Sequence, residues 1–127
     1  MKDEQVRRYA RHILLPEVGG LGQTALLQAS ARVVLRESTP EAELIAARYL
    51  AAGGVGTVVV AGASEAQIAA VAAAGPDTRV VSTGAGTDVA LQPMPAWWPH
   101  AEGDELALAF WRGAIAATRW MAAVATR

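Results

Sequence analysis

The chain has 127 residues, of which 53% are hydrophobic and 18% are charged, and its formal net charge is -1. These values predict a single globular domain with a substantial core. The basic residues are scattered along the chain, so we expect neither nucleic acid nor an anionic membrane surface as a partner. The sequence has no cysteine and only two histidines, which excludes disulfides and thiolate chemistry and leaves few metal ligands.

The start of the chain is charged and is followed by no apolar signal segment, so we expect a cytoplasmic protein. The most apolar stretch covers residues 106–124, but Arg112 and Arg119 interrupt it. Because an arginine is costly inside lipid, this stretch predicts a buried or interface helix, and no membrane association is expected.

Residues 1–30 predict a helical arm. Two short helices are expected at residues 3–12 and about 20–29, with Pro16 and a glycine pair as breakers between them. The short apolar run at residues 32–35 then predicts a buried parallel strand.

A strand-helix-strand pattern follows. Ser38 or Thr39 is a candidate N-cap, Pro40 suits the first helical position, and acidic residues fall in the first turn. Gly53-Gly54 is expected to end this helix, and residues 57–61 predict a second strand.

The pattern then repeats. Ser64 and Gln67 form a capping-box signature before an alanine-rich helix. Residues 78–82 predict a third strand, and a fourth is possible at residues 88–91. Residues 31–92 therefore predict a small, three-layer, Rossmann-like α/β core with a mostly parallel sheet of three to five strands.

The last third of the single domain is a loop followed by a long helix. Residues 93–103 are rich in proline and tryptophan, and Trp97-Trp98 predicts either a partner-binding surface or packing over one end of the sheet. Residues 104–127 form the predicted helix, capped by Asp104. Its apolar residues, including Trp111, lie on more than one side, so we expect cover from the sheet and from a second surface such as another subunit.

Two segments carry a family resemblance. Residues 8–13 read Arg-Tyr-Ala-Arg-His-Ile and are followed by Gly22-Gln23 and Leu26-Leu27; together they resemble the amino-terminal arm of the ThiF/MoeB/HesA adenylyltransferases, relatives of the ubiquitin-activating enzymes. Residues 48–58 are similar to the family segment written x-Y-L-A-x-A-G-V-G. The resemblance implies a Rossmann-like fold and an ancestry in ATP-dependent activation of a ubiquitin-like sulfur carrier.

The chain departs from the family pattern at the nucleotide site. Where the family carries G-x-G-G-L-G, residues 36–43 contain no glycine, include Pro40 and bring three glutamates. The second strand ends at Ala61-Gly62, where the family has an acidic residue for the ribose. The family's magnesium-binding aspartate and paired-cysteine zinc motif have no match.

We therefore interpret the chain as a non-catalytic member that acts by association, as a homodimer or as the partner of an active adenylyltransferase or a ubiquitin-like carrier. No cofactor is expected. One alternative is an ATP-dependent adenylyltransferase that holds ATP and magnesium in an altered way. Another is a small-molecule binder, framed by Trp97, Trp98 and the glycine turn at residues 84–86.

The candidate interface residues of the arm are Arg8, Tyr9, Arg11 and His12. By motif position, the resemblance implies that Arg11 reaches the ATP site of a neighbouring subunit, where a guanidinium stabilises phosphate charge. The simpler interpretation is that Arg11 pairs with a carboxylate such as Glu17. A packed, hydrogen-bonded His12 is favoured over a catalytic one.

Overall fold

The computed structural model describes residues 1–16, 18–36, 39–91, 93, 96 and 105–126. Within these residues the helices are α1 (Asp3–Arg8), α2 (Ala10–Leu14), α3 (Gly19–Gln28), α4 (Glu41–Ala52), α5 (Glu65–Ala72) and α6 (Glu105–Ala125). The strands are β1 (Ser30–Val34), β2 (Thr57–Ala61), β3 (Arg79–Val81) and β4 (Thr87–Asp88). None of the described helices is both long enough and apolar enough to cross a membrane.

All four strands are parallel and lie in the order β3-β2-β1-β4. Ala31 of β1 is paired with Val58 on one side and with Thr87 on the other. The chain steps outward from β1 to β3 and then returns to the opposite side of β1, so the direction of strand order reverses there. The predicted small Rossmann-like α/β domain, with its arm and long last helix, is confirmed.

The core lies between the sheet and α4. Alternate residues of β1 and three consecutive valines of β2 are buried, as expected for strands covered by helices. The buried cluster joins the sheet, the arm and both long helices: Leu26, Ala31, Val33, Ala46, Ala47, Leu50, Ala51, Val55, Val58, Val60, Val71, Ala117, Trp120 and Val124. Small residues line the contact of α4 with α6, where Gly113 leaves no room for a Cβ beside Ala42 and Ile45.

The predicted start of α4 needs correction. Pro40 is the N-cap of α4 rather than its first helical residue, because its carbonyl accepts the first intrahelical hydrogen bond, from Leu44 at 3.0 Å. Among the described residues no side chain caps this helix, so Thr39 does not have the predicted role. The alternative, Ser38, lies outside those residues. The helix ends at Gly53, as predicted.

The predicted capping box of α5 is confirmed, whereas Asp104, the predicted cap of α6, lies outside the described residues. Ser64 Oγ accepts a hydrogen bond from the amide of Gln67 at 3.2 Å, and Gln67 Oε1 accepts one from the amide of Ser64 at 2.9 Å. This reciprocal pair fixes the start of α5. A fourth strand is present but covers only Thr87–Asp88, so it overlaps the predicted residues 88–91 only at Asp88.

The arm differs from the prediction at two points. Gly19 and Gly20, which were predicted as breakers, are the first two residues of α3. The helix expected over residues 3–12 is broken at Tyr9, which separates α1 from α2. Tyr9 is buried, with 3% of its area exposed, because its ring turns into the domain. The break therefore follows from packing of the tyrosine, which no local sequence signal indicates.

Candidate functional site

Asp77 holds the arm on the domain. Its carboxylate accepts hydrogen bonds from the hydroxyl of Tyr9 at 2.6 Å and from Gln5 Nε2 at 3.2 Å, and it forms an ion pair with Arg8. Asp77 lies in the turn between α5 and β3, far from the arm in sequence. Arg8 and Tyr9, both predicted interface residues, are therefore engaged within their own chain.

Burial and hydrogen bonding within this cluster shift the pKa values of Tyr9 and Asp77. Burial, reinforced by the hydrogen bond to Asp77, raises the pKa of Tyr9 to about 12, so the phenol remains a donor at neutral pH. Partial burial acts to raise the pKa of Asp77, but hydrogen bonds from Tyr9, Arg8 and Gln5 outweigh it, and the net pKa is lowered. Asp77 is thus held as a carboxylate.

His12 is tied to the domain through Gln23. The buried Gln23 donates from Nε2 to the carbonyl of Gly53 at 3.0 Å, which leaves its Oε1 facing His12 Nδ1 at 2.9 Å. Because an amide oxygen only accepts, His12 donates from Nδ1. The structure supports the interpretation of His12 as a packed residue, because its Nδ1 is already hydrogen-bonded to Gln23.

The two segments that carry the family resemblance meet in space. Gly54 has a φ of +84°, and a Cβ at this position would lie 2.6 Å from the Tyr9 ring and 2.8 Å from Gln23 Nε2. Gly56 donates from its amide to the carbonyl of Leu26 at 2.9 Å. The glycines at residues 53–56 therefore form the docking site of the arm.

Arg11 is different from its neighbours. Its side chain is exposed, and among the described residues no hydrogen bond or ion pair reaches it. Glu17, its predicted alternative partner, lies outside the described residues. Arg11 therefore remains available to a partner, whereas Arg8, which is also exposed, is paired with Asp77.

An apolar groove lies on the surface where the arm meets α4 and α6. Its volume is about 520 Å³, and its walls include Leu15 and Val18 of the arm, Tyr49 of α4, and Met121 of α6. His12 lies at the same groove. A groove of this size and composition is typical of a binding surface.

The groove continues into exposed apolar side chains on both helices. The rings of Tyr49 and Phe110 meet edge to face, with centroids 5.7 Å apart, and Leu106 lies one turn before Phe110 on α6. We call the surface formed by Leu15, Tyr49, Leu106 and Phe110, with the groove beside them and the exposed Leu14 that precedes Leu15, the apolar face. Leu14 keeps 82% of its area exposed and Leu106 keeps 69%.

The start of α4, which the resemblance aligns with the family's glycine-rich loop, presents acids rather than donors. Pro40 has no amide hydrogen, and Glu41 and Glu43 occupy the first turn of α4. Glu43 is buried, with 2% of its area exposed. These residues place carboxylates where a phosphate chain requires amides and positive potential.

The glycine turn before β4 has no phosphate-loop geometry. The strand begins at Thr87, directly after the turn, so no helix opens there. Gly86 packs against the backbone of Ala31, with a distance of 2.9 Å from its ideal Cβ position to the Ala31 carbonyl carbon. The turn therefore serves to bring β4 beside β1.

Of the tryptophan candidates, only Trp111 lies within the described residues. It is half-buried on α6 and makes a side-chain interaction. Trp97 and Trp98 lie outside the described residues.

Sequence reasoning missed Asp77 and the Tyr49–Phe110 pair. The sequence assigns Asp77 no role, because nothing in the adjacent Gly75-Pro76 indicates its distant partner Arg8. The aromatic pair joins residues 61 positions apart and has no local signal.

Comparison with known proteins finds no matching family model and no significant match among curated proteins.

Proposed function

We propose that this chain is a cytoplasmic, non-catalytic ThiF/MoeB-like protein that acts by association, as a homodimer through its apolar face. The observation that carries the proposal is the continuity of this face from Leu15 through Tyr49 and Phe110 to Leu106. Contiguous apolar patches of this kind on soluble domains mark protein interaction sites.

The exposed side chains supply the driving force for association. Leu14, Leu106 and Phe110 are each at least half exposed, and full burial of such a side chain contributes about 1.5–3 kcal/mol. Aromatic residues at the centre of an interface are also typical of sites that dominate binding energy. The Tyr49–Phe110 pair is therefore the expected centre of the contact.

A second copy of the chain is the occupant that this surface favours. A two-fold interface joins the same patch on both subunits, so the patch needs both projecting and receiving parts. Here the projecting Leu14 adjoins Leu15, which lines the groove of about 520 Å³. A Leu14 side chain of one copy can thus enter the groove of the other.

The altered loop supports a non-catalytic role. An adenylyltransferase needs donors around the phosphates, whereas the start of α4 offers Pro40, Glu41 and a buried Glu43. We therefore expect no heat in a titration with ATP and magnesium, and no carrier-dependent pyrophosphate exchange. Micromolar ATP binding with exchange would replace the proposal by the enzymatic alternative.

Sedimentation velocity on matched variants tests the association. Phe110→Glu and Leu14→Glu place a charge on the apolar face, while Ala69→Glu adds the same charge to an exposed position of α5. We expect the first two variants to be monomeric and Ala69→Glu to dimerise like the parent. Equal behaviour of all three would remove the apolar face from the interface.

The same experiment separates the homodimer from other partners. A parent chain that is monomeric alone, but binds a related adenylyltransferase or a ubiquitin-like carrier, would keep the association and change the partner. In that case Phe110→Glu is expected to abolish binding of the added partner. Unchanged binding of the added partner by Phe110→Glu would contradict association through the apolar face, both with a second copy and with another protein.

A further inference from the structure

A polar crevice opens where the strand order reverses. It lies between the carboxyl ends of β1 and β4, beside the start of α4 and the middle of α6, and has a volume of about 410 Å³. The loops that follow β1 and β4 run in different directions at such a point, which leaves room for a ligand. The volume suits a small molecule.

Three arginines from three parts of the chain line this crevice: Arg32 of β1, Arg36 after that strand, and Arg112 of α6. The acids at the crevice are Asp88 and Glu43. Arg32 is already paired with Asp88, with NH1 and Oδ1 3.2 Å apart. Among the lining residues that the structure describes, the three guanidinium groups outnumber the two carboxylates, so their net charge is positive.

The rest of the wall is apolar. Val33 and Val34 of β1 face the crevice together with Val89 and Leu91 after β4. A ligand that fits both parts has an anionic head and a short apolar body. The guanidinium plane favours the two oxygens of a carboxylate or a phosphate monoester.

We propose that this crevice binds a small organic anion, a carboxylate or a phosphate monoester, with its head at Arg36 and its apolar body against Val89 and Leu91. Recognition then depends on side-chain guanidinium groups. Backbone amides at the start of α4 are not the donors, because Glu41 and Glu43 occupy that turn. The proposed site is separate from the apolar face.

Isothermal titration of the full chain tests the site with three probes that share a phenyl ring: phenyl phosphate, phenylacetate and neutral benzyl alcohol. We expect saturable one-site binding of at least one anion and none of benzyl alcohol. The anion that binds more tightly identifies the head group. Absence of saturable binding by both anions, or equal binding of benzyl alcohol, would overturn the proposal.

Arg36→Gln provides the variant, because Arg36 is exposed and its replacement leaves the core intact. Arg48→Gln removes the same charge from an exposed position on α4. We expect Arg36→Gln to weaken anion binding about tenfold or more, as loss of a charge-assisted hydrogen bond does, and Arg48→Gln to leave it unchanged. Equal weakening by both variants would indicate nonspecific charge attraction and contradict the site.

Amide chemical shifts locate the bound anion independently. Titration is expected to move the signals of Arg36, Val89 and Ala90 and to leave those of His12 and Met121 at the groove unchanged. Shifts confined to the groove would place the ligand on the apolar face and overturn the assignment. Because the crevice and the groove share no lining residue, failure here is distinguishable from failure of the dimer.

Discussion

The ring of Tyr9 packs against Gly54 so closely that a Cβ on the glycine would lie 2.6 Å from it. The same tyrosine donates to Asp77 at 2.6 Å. One side chain thus joins the arm to the end of α4 and to the turn before β3. The position of the apolar face depends on this joint, because α2 and its Leu14 follow directly after Tyr9.

Gly54→Ala is expected to destabilise the fold strongly. The substitution adds the cost of a φ of +84° to a collision with Tyr9 and Gln23, so we expect a loss of about 2–4 kcal/mol in the free energy of unfolding. Urea denaturation measures it. Gly19→Ala is the matched control, since Gly19 also has a positive φ of +63° but nothing within 4 Å of its Cβ position.

The control separates strain from collision. Gly19→Ala is expected to cost only about 1 kcal/mol, the conformational part of the effect. If both variants lost the same free energy, contact with Tyr9 would contribute nothing and the docking role of Gly54 would be wrong.

Asp77→Asn is expected to make the free energy of unfolding depend less on pH in the acidic range. The pKa of Asp77 in the folded state lies below its ordinary value of 3.8, so its contribution is present above that value and is lost as the pH falls through the folded-state pKa. At neutral pH we expect the variant to lose about 1–2 kcal/mol of unfolding free energy. Urea denaturation at several pH values measures the difference.

The pH course distinguishes this cause from a packing defect. The gap between the parent and Asp77→Asn is expected to narrow as the pH falls below 3.8, because the parent carboxylate then takes up a proton. A gap of constant size at every pH would show that the charge of Asp77 does not hold the arm.

Gln23→Leu is expected to loosen the arm by removing its buried amide. The carbonyl of Gly53 and the Nδ1 donor of His12 both lose a partner, at a cost of about 1–3 kcal/mol in unfolding free energy. Nitrogen NMR of the histidine ring provides a second readout. In the parent, neutral His12 is expected to carry its proton on Nδ1; a proton on Nε2 would contradict the arrangement.

Local signals explain which parts of the fold the sequence predicts. Ser64 and Gln67 act within one turn, and the apolar residues of β2 need only burial to form a strand, so both were predictable. The sequence predicts Pro40 one position too far into α4, because the preference of proline for the first turn does not by itself fix which residue is the cap.

The candidate site was less predictable, because its contacts join distant residues. Asp77 receives Arg8 from 69 positions away, and Tyr49 meets Phe110 only once α6 has packed on α4. The break at Tyr9 has the same origin, since the tyrosine leaves the helix to reach a tertiary partner. Patterns in the sequence give the elements, whereas these contacts depend on their arrangement.

Homodimerisation is tested by the mass of the unmodified chain, measured by size-exclusion chromatography with light scattering over a wide range of concentrations. Association through the apolar face predicts a mass of twice 13.2 kDa that falls toward the monomer only on dilution. A single species of 13.2 kDa at every concentration would contradict the homodimer.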